Sequence, residues 1–199
     1  MLGRLLAAVF VATASPAALA APSLCATPEQ AAQVRAAYAT PPAPPTFMAA
    51  GKLGLSEAVV LSALAGKEAT GTTGAGFPKV WESLQAWPDA TTVLVKGGNV
   101  MEVRGRIPPG EPSTKSAFFN LKQDGAGLAG HLRPDLMGAI YAVELAGAAG
   151  PLRGITFVDG DGGSLFGVYL PEGASDQPAL VSAFAATRAL LAALPRACP

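Results

Sequence analysis

The sequence has few of the groups on which common catalytic and metal sites depend. Its 199 residues include one histidine and two cysteines, so a closed zinc site of four histidine and cysteine ligands has too few donors. There is no Gly-x-Ser-x-Gly motif, and one histidine without a nucleophile placed by a motif is poor support for a hydrolase. These absences argue against a zinc module and against a serine hydrolase.

The chain also lacks an excess of charge of either sign. Fourteen Lys and Arg residues balance fourteen Asp and Glu residues. No basic surplus is therefore available to neutralise a phosphate backbone, which excludes nucleic acid as an expected partner. Hydrophobic residues make up 50% of the chain, too many for a disordered protein in spite of 23 glycines and 18 prolines. We expect a globular binding protein or enzyme.

After the first twenty residues, no stretch is long and apolar enough for a membrane-spanning helix. Residues 1–20 combine a positive start, a short apolar segment and the small-residue pattern Ala18–Ala20. This arrangement predicts a secretory signal peptide cleaved after Ala20, and hence a periplasmic or secreted protein without membrane insertion. An uncleaved anchor is the alternative, although the Ser15-Pro16 break disfavours it. Roughly 180 residues then remain, enough for one domain.

Cys25 and Cys198 lie near the two ends of this mature chain. An even cysteine count in an exported protein favours pairing, because the compartment is oxidising. A bond between them would close nearly the whole chain into one loop, which chain-entropy models value at about 4 to 5 kcal/mol. The sequence alone does not show that the two ends meet, so two unpaired cysteines remain the alternative.

Helical periodicity opens the chain, strand periodicity follows, and helical periodicity returns at the end. The N-terminal helices are predicted at 27–38, 55–64 and 78–87, with an extended proline-rich linker at 41–45 and a flexible glycine-rich connection at 66–76. The strands are predicted at 91–96, 99–107, 116–122, 128–132, 136–145, 152–158 and 165–170. Asp176 is predicted to cap a last helix that reaches Leu194. This order predicts an α+β fold, with residues 21–52 as an N-terminal helix and linker and residues 53–199 as the main domain.

Three glycine-rich stretches imitate ligand-binding loops without their essential residues. Gly125–Gly130 matches a dinucleotide fingerprint, but Pro134 follows too soon for the required helix. Gly71–Gly76 lacks the Gly-Lys-Ser/Thr ending of a phosphate loop. Asp159–Gly163 resembles the start of a calcium loop but lacks the later acidic ligand, so a hairpin turn is expected there.

His131 is the only imidazole in the chain, and it lies between a glycine-rich segment and a long apolar run. Neutral imidazole is the commonest protein metal ligand. Two interpretations of His131 stay open on these grounds, a hydrogen-bonded structural residue and a ligand.

A series of short motifs in one order resembles the HutX/ChuX family of heme-utilisation carrier proteins, relatives of one half of the larger HemS/ChuS heme proteins. The resemblance covers about residues 53 to 194 and rests on Phe77–Trp81, Thr92–Lys96, Asn99–Val103, Ile107–Gly110, Phe118–Leu121, Gly130–Arg133, Ala139–Tyr141, Ile155–Phe157 and Leu165–Tyr169. It implies a long antiparallel sheet with N-terminal helices and a C-terminal helix packed on it, and usually a homodimer. It also implies a carrier without catalysis that takes heme from an importer and passes it on, often to a heme-degrading enzyme. Heme degradation or reduction by the chain itself stays open.

The same resemblance suggests the site. His131 occupies the histidine of the family's Gly-His-Leu/Ile-Arg/Lys motif and is the expected iron ligand. Some family members carry a second histidine where this chain has Lys96, and others carry a tyrosine in the segment matched by Phe118-Phe119. Tyr141 and Tyr169 remain alternative iron ligands. Candidate residues for the faces and propionates of heme are Met101, Val103, Phe118, Phe119, Arg133, Lys96, Arg104 and Arg106. The alternative function is a periplasmic structural or interaction module that no longer binds heme.

Overall fold

The computed structural model describes residues 23–122 and 127–198, so the predicted signal peptide lies outside the described residues. Its helices are α1 Pro28–Ala37, α2 Thr46–Leu53, α3 Glu57–Ala63, α4 Phe77–Leu84 and α5 Pro178–Ala193. Its strands are β1 Ala69–Thr73, β2 Ala90–Lys96, β3 Asn99–Gly105, β4 Gly110–Pro112, β5 Phe119–Leu121, β6 Gly130–Leu132, β7 Met137–Gly147, β8 Gly150–Asp159 and β9 Ser164–Tyr169. Short 3-10 turns precede α4 and β7, at Gly74–Gly76 and Pro134–Leu136.

The strands form two separate antiparallel sheets. A six-stranded sheet has the order β1-β7-β8-β9-β2-β3, and the three short strands form a second sheet in the order β4-β5-β6. The chain leaves the large sheet after β3 at Pro108-Pro109, where two residues have no N–H to donate to a ladder. The α+β fold and the long antiparallel sheet are therefore confirmed.

Both faces of the large sheet are covered, and β7 shows why. Ile140 and Ala142 pack into a core with α4, α5 and the small sheet, whereas Tyr141 and Val143 pack into a second core with α1, α2 and α3. A strand that is buried on both faces carries apolar residues at nearly every position. The long apolar run after His131 is thus explained by its place inside the sheet.

Two elements in the N-terminal half differ from the sequence prediction. Helix α2 was not predicted, and the supposedly flexible connection contains strand β1, which pairs with β7. Gly71 of β1 is needed for close approach, since a Cβ there would lie 2.3 Å from a ring carbon of Tyr141. The glycine that suggested a loop instead leaves room for an aromatic ring over the strand.

The predicted helix caps give one confirmation and one correction. Thr27 and Gln30 form a capping box at the start of α1, as the Thr-Pro-Glu-Gln pattern predicts. The prediction for Asp176 was wrong: α5 follows Gln177, whose side chain makes no capping hydrogen bond. The carboxylate of Asp176 lies 3.5 Å from the guanidinium of Arg153 instead.

A disulfide joins Cys25 to Cys198, with Cα atoms 5.7 Å apart. The C-terminal segment that carries Cys198 lies antiparallel to the edge strand β1. The Thr73 N–H donates to the Pro195 carbonyl at 3.2 Å, and the Ala197 N–H donates to the Gly71 carbonyl at 3.3 Å. The disulfide therefore ties the two ends of the described chain together beside β1.

Glu57 is a buried carboxyl group beneath α2, at 3% exposure. Its Oε1 accepts a hydrogen bond of 2.5 Å from the Thr46 hydroxyl, while its Oε2 makes no hydrogen bond to any described residue. Burial raises the pKa of Glu57, and the hydrogen bond from Thr46 opposes that rise. The folded protein therefore binds this proton more tightly than the unfolded chain does.

We predict that the free energy of unfolding falls as pH rises and Glu57 loses this proton. The stabilisation by protonated Glu57 is complete below its ordinary pKa of 4.5 and is lost as pH rises through the higher folded value. Glu57→Gln keeps the size of the side chain and removes the ionisation. The free energy of unfolding of the variant should therefore depend less on pH over this range. Urea unfolding at a series of pH values measures it, and parallel pH profiles for the two proteins would contradict the assignment.

Candidate heme site

The site predicted around His131 lies on the small sheet. Strands β5 and β6 pair antiparallel, with Asn120 directly opposite His131. Because side chains alternate across a strand, Phe119 points away from Asn120 and into the core. It is 8% exposed, and its ring lies 5.1 Å from that of Phe77, edge to face. Burial of Phe119 thus holds Asn120 and His131 on the outer face of the sheet.

His131 is exposed, and its ring is oriented by one hydrogen bond. Its Nδ1 lies 2.8 Å from the side-chain carbonyl oxygen of Asn120. A carbonyl oxygen can only accept, so this contact is a hydrogen bond in the tautomer that carries its hydrogen on Nδ1. In a neutral imidazole this leaves the lone pair on Nε2, the atom available to a metal ion.

Phe118 and Arg133 flank the imidazole. The Phe118 side chain is 40% exposed, and its ring centroid lies 5.7 Å from that of His131. The Arg133 guanidinium carbon lies 5.6 Å from the centre of the Phe118 ring, a cation–π distance. The surface therefore offers an imidazole, an aromatic face and a cation side by side.

Asp135 holds Arg133 through two hydrogen bonds, of 2.8 and 2.6 Å. The hydrogen bonds from Arg133 lower the pKa of Asp135, and those same bonds raise the pKa of Arg133. The ion pair therefore persists at neutral pH. An incoming carboxylate would share the guanidinium with Asp135 or displace it.

Four of the other candidates lie on other elements or on the opposite face of the small sheet. Lys96 and Met101 lie on the β2–β3 hairpin, where Met101 is 55% exposed on the edge strand. Arg104, also on β3, is paired with Asp89 at 2.9 Å. Phe119 lies in the core. Of the predicted site residues, His131 and Arg133 are brought together, each in contact with the ring of Phe118, which was also a candidate.

Sequence reasoning missed two members of the cluster. Asn120 becomes a partner of His131 only through the β5–β6 register, and no motif or fixed spacing in the sequence specifies that pairing. Asp135 lies two residues after Arg133, and that short spacing was the available signal. The sequence analysis did name Phe118, but without distinguishing it from Phe119.

Of the two tyrosines considered as alternative iron ligands, Tyr141 is buried in the second core and Tyr169 is partly buried against it. Burial raises the pKa of Tyr141 to about 12 and that of Tyr169 to about 12. Tyr169 is also hydrogen bonded to the Thr156 hydroxyl at 3.1 Å. Ionising either phenol costs more free energy than ionising a tyrosine at the surface. Both residues therefore act as packed aromatic rings rather than as iron ligands.

Other ligand-binding features lie away from His131. Two open cavities, of about 480 and 680 Å³, adjoin α5 and the disulfide respectively, and His131 lines neither. Within residues 23–122 and 127–198, no group of three or more His, Cys, Asp and Glu side chains is arranged to hold a metal ion. No helix in the same part of the chain is long and apolar enough to cross a membrane.

Comparison with known proteins identifies the family. The family model described as Haem utilisation ChuX/HutX matches residues 70–187, more than half of the chain. The chain belongs to the ChuX/HutX family. This membership supports heme as the ligand of the protein. Among curated proteins, no match was found.

Several solved structures share the fold of this chain. ChuX, described elsewhere as a heme-binding protein, has a TM-score of 0.69 at 22% identity, over 79% of this chain and 97% of its own. A protein from Erwinia carotovora has a TM-score of 0.71 at 26% identity, over 79% and 98%. Holo-PhuS, a heme-binding protein from Pseudomonas aeruginosa, has a TM-score of 0.61 at 18% identity, over 77% of this chain and 44% of its own.

Proposed function

We propose that the protein is an exported carrier that binds heme and transfers it for iron utilisation, with His131 as the single protein ligand of the iron. The observation that supports this most strongly is the exposed imidazole, whose Nδ1 is occupied by Asn120 at 2.8 Å. The Nε2 atom is thereby left for iron. Heme would be the cargo of the carrier, and the protein would bind and release it without a catalytic step.

The residues around His131 fit the three needs of a heme site, an axial donor, apolar contact and cations for the propionates. Phe118 supplies exposed apolar surface beside the imidazole. Arg133 supplies positive charge beside Phe118. An exposed site with one ligand suits a carrier, because transfer requires heme to leave.

Titration of the mature protein with hemin tests the proposal. Wild type should give saturable binding with a shifted Soret band, and His131→Ala should change the band and weaken binding on the order of tenfold or more. Because His131 is exposed, the variant should keep the stability of wild type. Added imidazole should restore a histidine-like spectrum to His131→Ala, which separates loss of the ligand from loss of the site.

Two other outcomes would change the account. Saturable binding with the same spectrum in both proteins would reject His131 as ligand while keeping a heme carrier. Absence of saturable binding to wild type would reject the carrier and leave a non-heme structural or interaction module on the same scaffold.

The proposal includes export, which the disulfide supports because such bonds persist in oxidising compartments. Amino-terminal sequencing of the mature protein should then begin at Ala21, and a start at Met1 would contradict cleavage.

The proposal also includes a homodimer and a partner that delivers or accepts heme, as the family resemblance implies. Sedimentation equilibrium should give twice the mass of one chain, and a monomer throughout would reject the dimer.

A further inference from the structure

We propose that Asn120 is a positioning residue that sets the tautomer and orientation of His131, so that Nε2 is the only nitrogen available for a ligand. The tautomer can be tested in the protein without any ligand. Its consequence for iron rests on the function proposed above.

The strand pairing holds Asn120 in a definite place. On one side, β5 pairs with β6, which places Asn120 directly opposite His131. On the other side, β5 pairs with β4, which places Glu111 opposite Asn120. The ladder continues beyond the strand, since the Ser113 N–H donates to the Phe118 carbonyl at 2.8 Å and the Lys122 N–H donates to the Pro109 carbonyl at 2.8 Å.

A side chain anchors the same strand to the core. The ring of Phe119 packs edge to face against Phe77 and Trp81, with centroids 5.1 and 6.3 Å away. The Trp81 indole N–H in turn donates to the Pro108 carbonyl at 3.0 Å, just before β4. The amide of Asn120 therefore projects from a backbone with little freedom to move.

The chemistry of the contact follows from the amide oxygen. It accepts the hydrogen on His131 Nδ1, which selects the Nδ1–H tautomer and restricts rotation of the ring. A carbonyl acceptor on this nitrogen also makes the opposite nitrogen a better donor to a metal. Without an acceptor at position 120, an exposed neutral imidazole reverts to the mixture dominated by the Nε2–H tautomer. That form presents no lone pair on Nε2.

Two substitutions separate these effects. Asn120→Leu has a similar size and no acceptor, whereas Asn120→Asp keeps an acceptor oxygen in the same position. The single histidine makes the readout simple, because a protein labelled with ¹⁵N only in histidine contains one labelled imidazole. Long-range ¹H–¹⁵N correlation at alkaline pH then reports which nitrogen carries the hydrogen.

We expect the Nδ1–H tautomer in wild type and in Asn120→Asp, and the Nε2–H tautomer as the major form in Asn120→Leu. An amide spectrum and unfolding midpoint like those of wild type establish that Asn120→Leu is folded. A wild-type spectrum of Nε2–H, or an unchanged tautomer in folded Asn120→Leu, would overturn the proposal.

Hemin titration gives the second readout. Asn120→Leu should bind hemin on the order of tenfold more weakly than wild type, with Asn120→Asp close to wild type. Equal affinity of all three proteins would show that tautomer selection does not serve iron binding. If wild type does not bind hemin, the proposed function fails, while the tautomer experiment still decides the role of Asn120.

Discussion

Replacing Cys25 and Cys198 together by serine should lower the free energy of unfolding by about 4 to 5 kcal/mol. The disulfide closes a loop across a sequence separation of 173 residues, so its removal restores a large conformational entropy to the unfolded chain. The bond also holds the C-terminal segment against β1, where Thr72 donates to the Pro195 carbonyl at 2.7 Å. Denaturant unfolding of the double variant and of wild type measures the difference.

Two comparisons make this result specific to the bond. Wild type in an excess of a dithiol reductant should unfold like the double variant, and the reductant should leave the double variant unchanged. Hydrogen exchange should accelerate at the Thr73 and Ala197 amides, which pair β1 with the C-terminal segment. A stability loss below about 1 kcal/mol would contradict the assigned role of the disulfide.

Alanine substitutions at the adjacent residues Phe118 and Phe119 should have opposite effects. Phe119 is buried against Phe77 and Trp81, so Phe119→Ala should lower stability by about 3 to 5 kcal/mol. Phe118 is 40% exposed beside His131, so Phe118→Ala should stay within about 0.5 kcal/mol of wild type. Loss of its apolar face should weaken hemin binding roughly tenfold. Denaturant unfolding and hemin titration of both variants measure the two effects.

Met48 provides a matched control for the exposed phenylalanine. It is a large apolar side chain at 57% exposure, on α2 and away from the small sheet. Met48→Ala should therefore change neither stability nor hemin binding. Unchanged hemin binding by Phe118→Ala would contradict a role for this ring at the site. Wild-type stability of Phe119→Ala would contradict its place in the core.

Periodicity and turn residues were sufficient to predict most of the fold. The hairpin at Gly97-Gly98, the turn at Asp159–Gly163 and the capping box of α1 all depend on local chemistry that the sequence displays. Strand β1 was missed because its pairing depends on β7, far along the chain, and on the Tyr141 ring over Gly71. Local sequence patterns predict local elements. They do not show that Gly71 makes room for a ring that is distant in sequence.

The candidate site was less accessible from the sequence for a related reason. The family motif singled out His131 and Arg133, which do lie in one cluster. The roles of Phe118 and Phe119 depend on which face of β5 meets the core, a matter of register that a pair of identical residues leaves undecided. Asn120 entered only when β5 was paired with β6. Contacts between strands carry this information, and spacing along the chain does not.

Coordination of heme iron by His131 is the central claim, and hyperfine spectroscopy of the ferric complex tests it most directly. The protein would carry ¹⁵N only in its single histidine, and the hemin would carry natural-abundance ¹⁴N. A ¹⁵N coupling to the ferric iron is predicted, and it can arise only from His131. A hemin complex that forms at one equivalent and shows no ¹⁵N coupling would contradict the account.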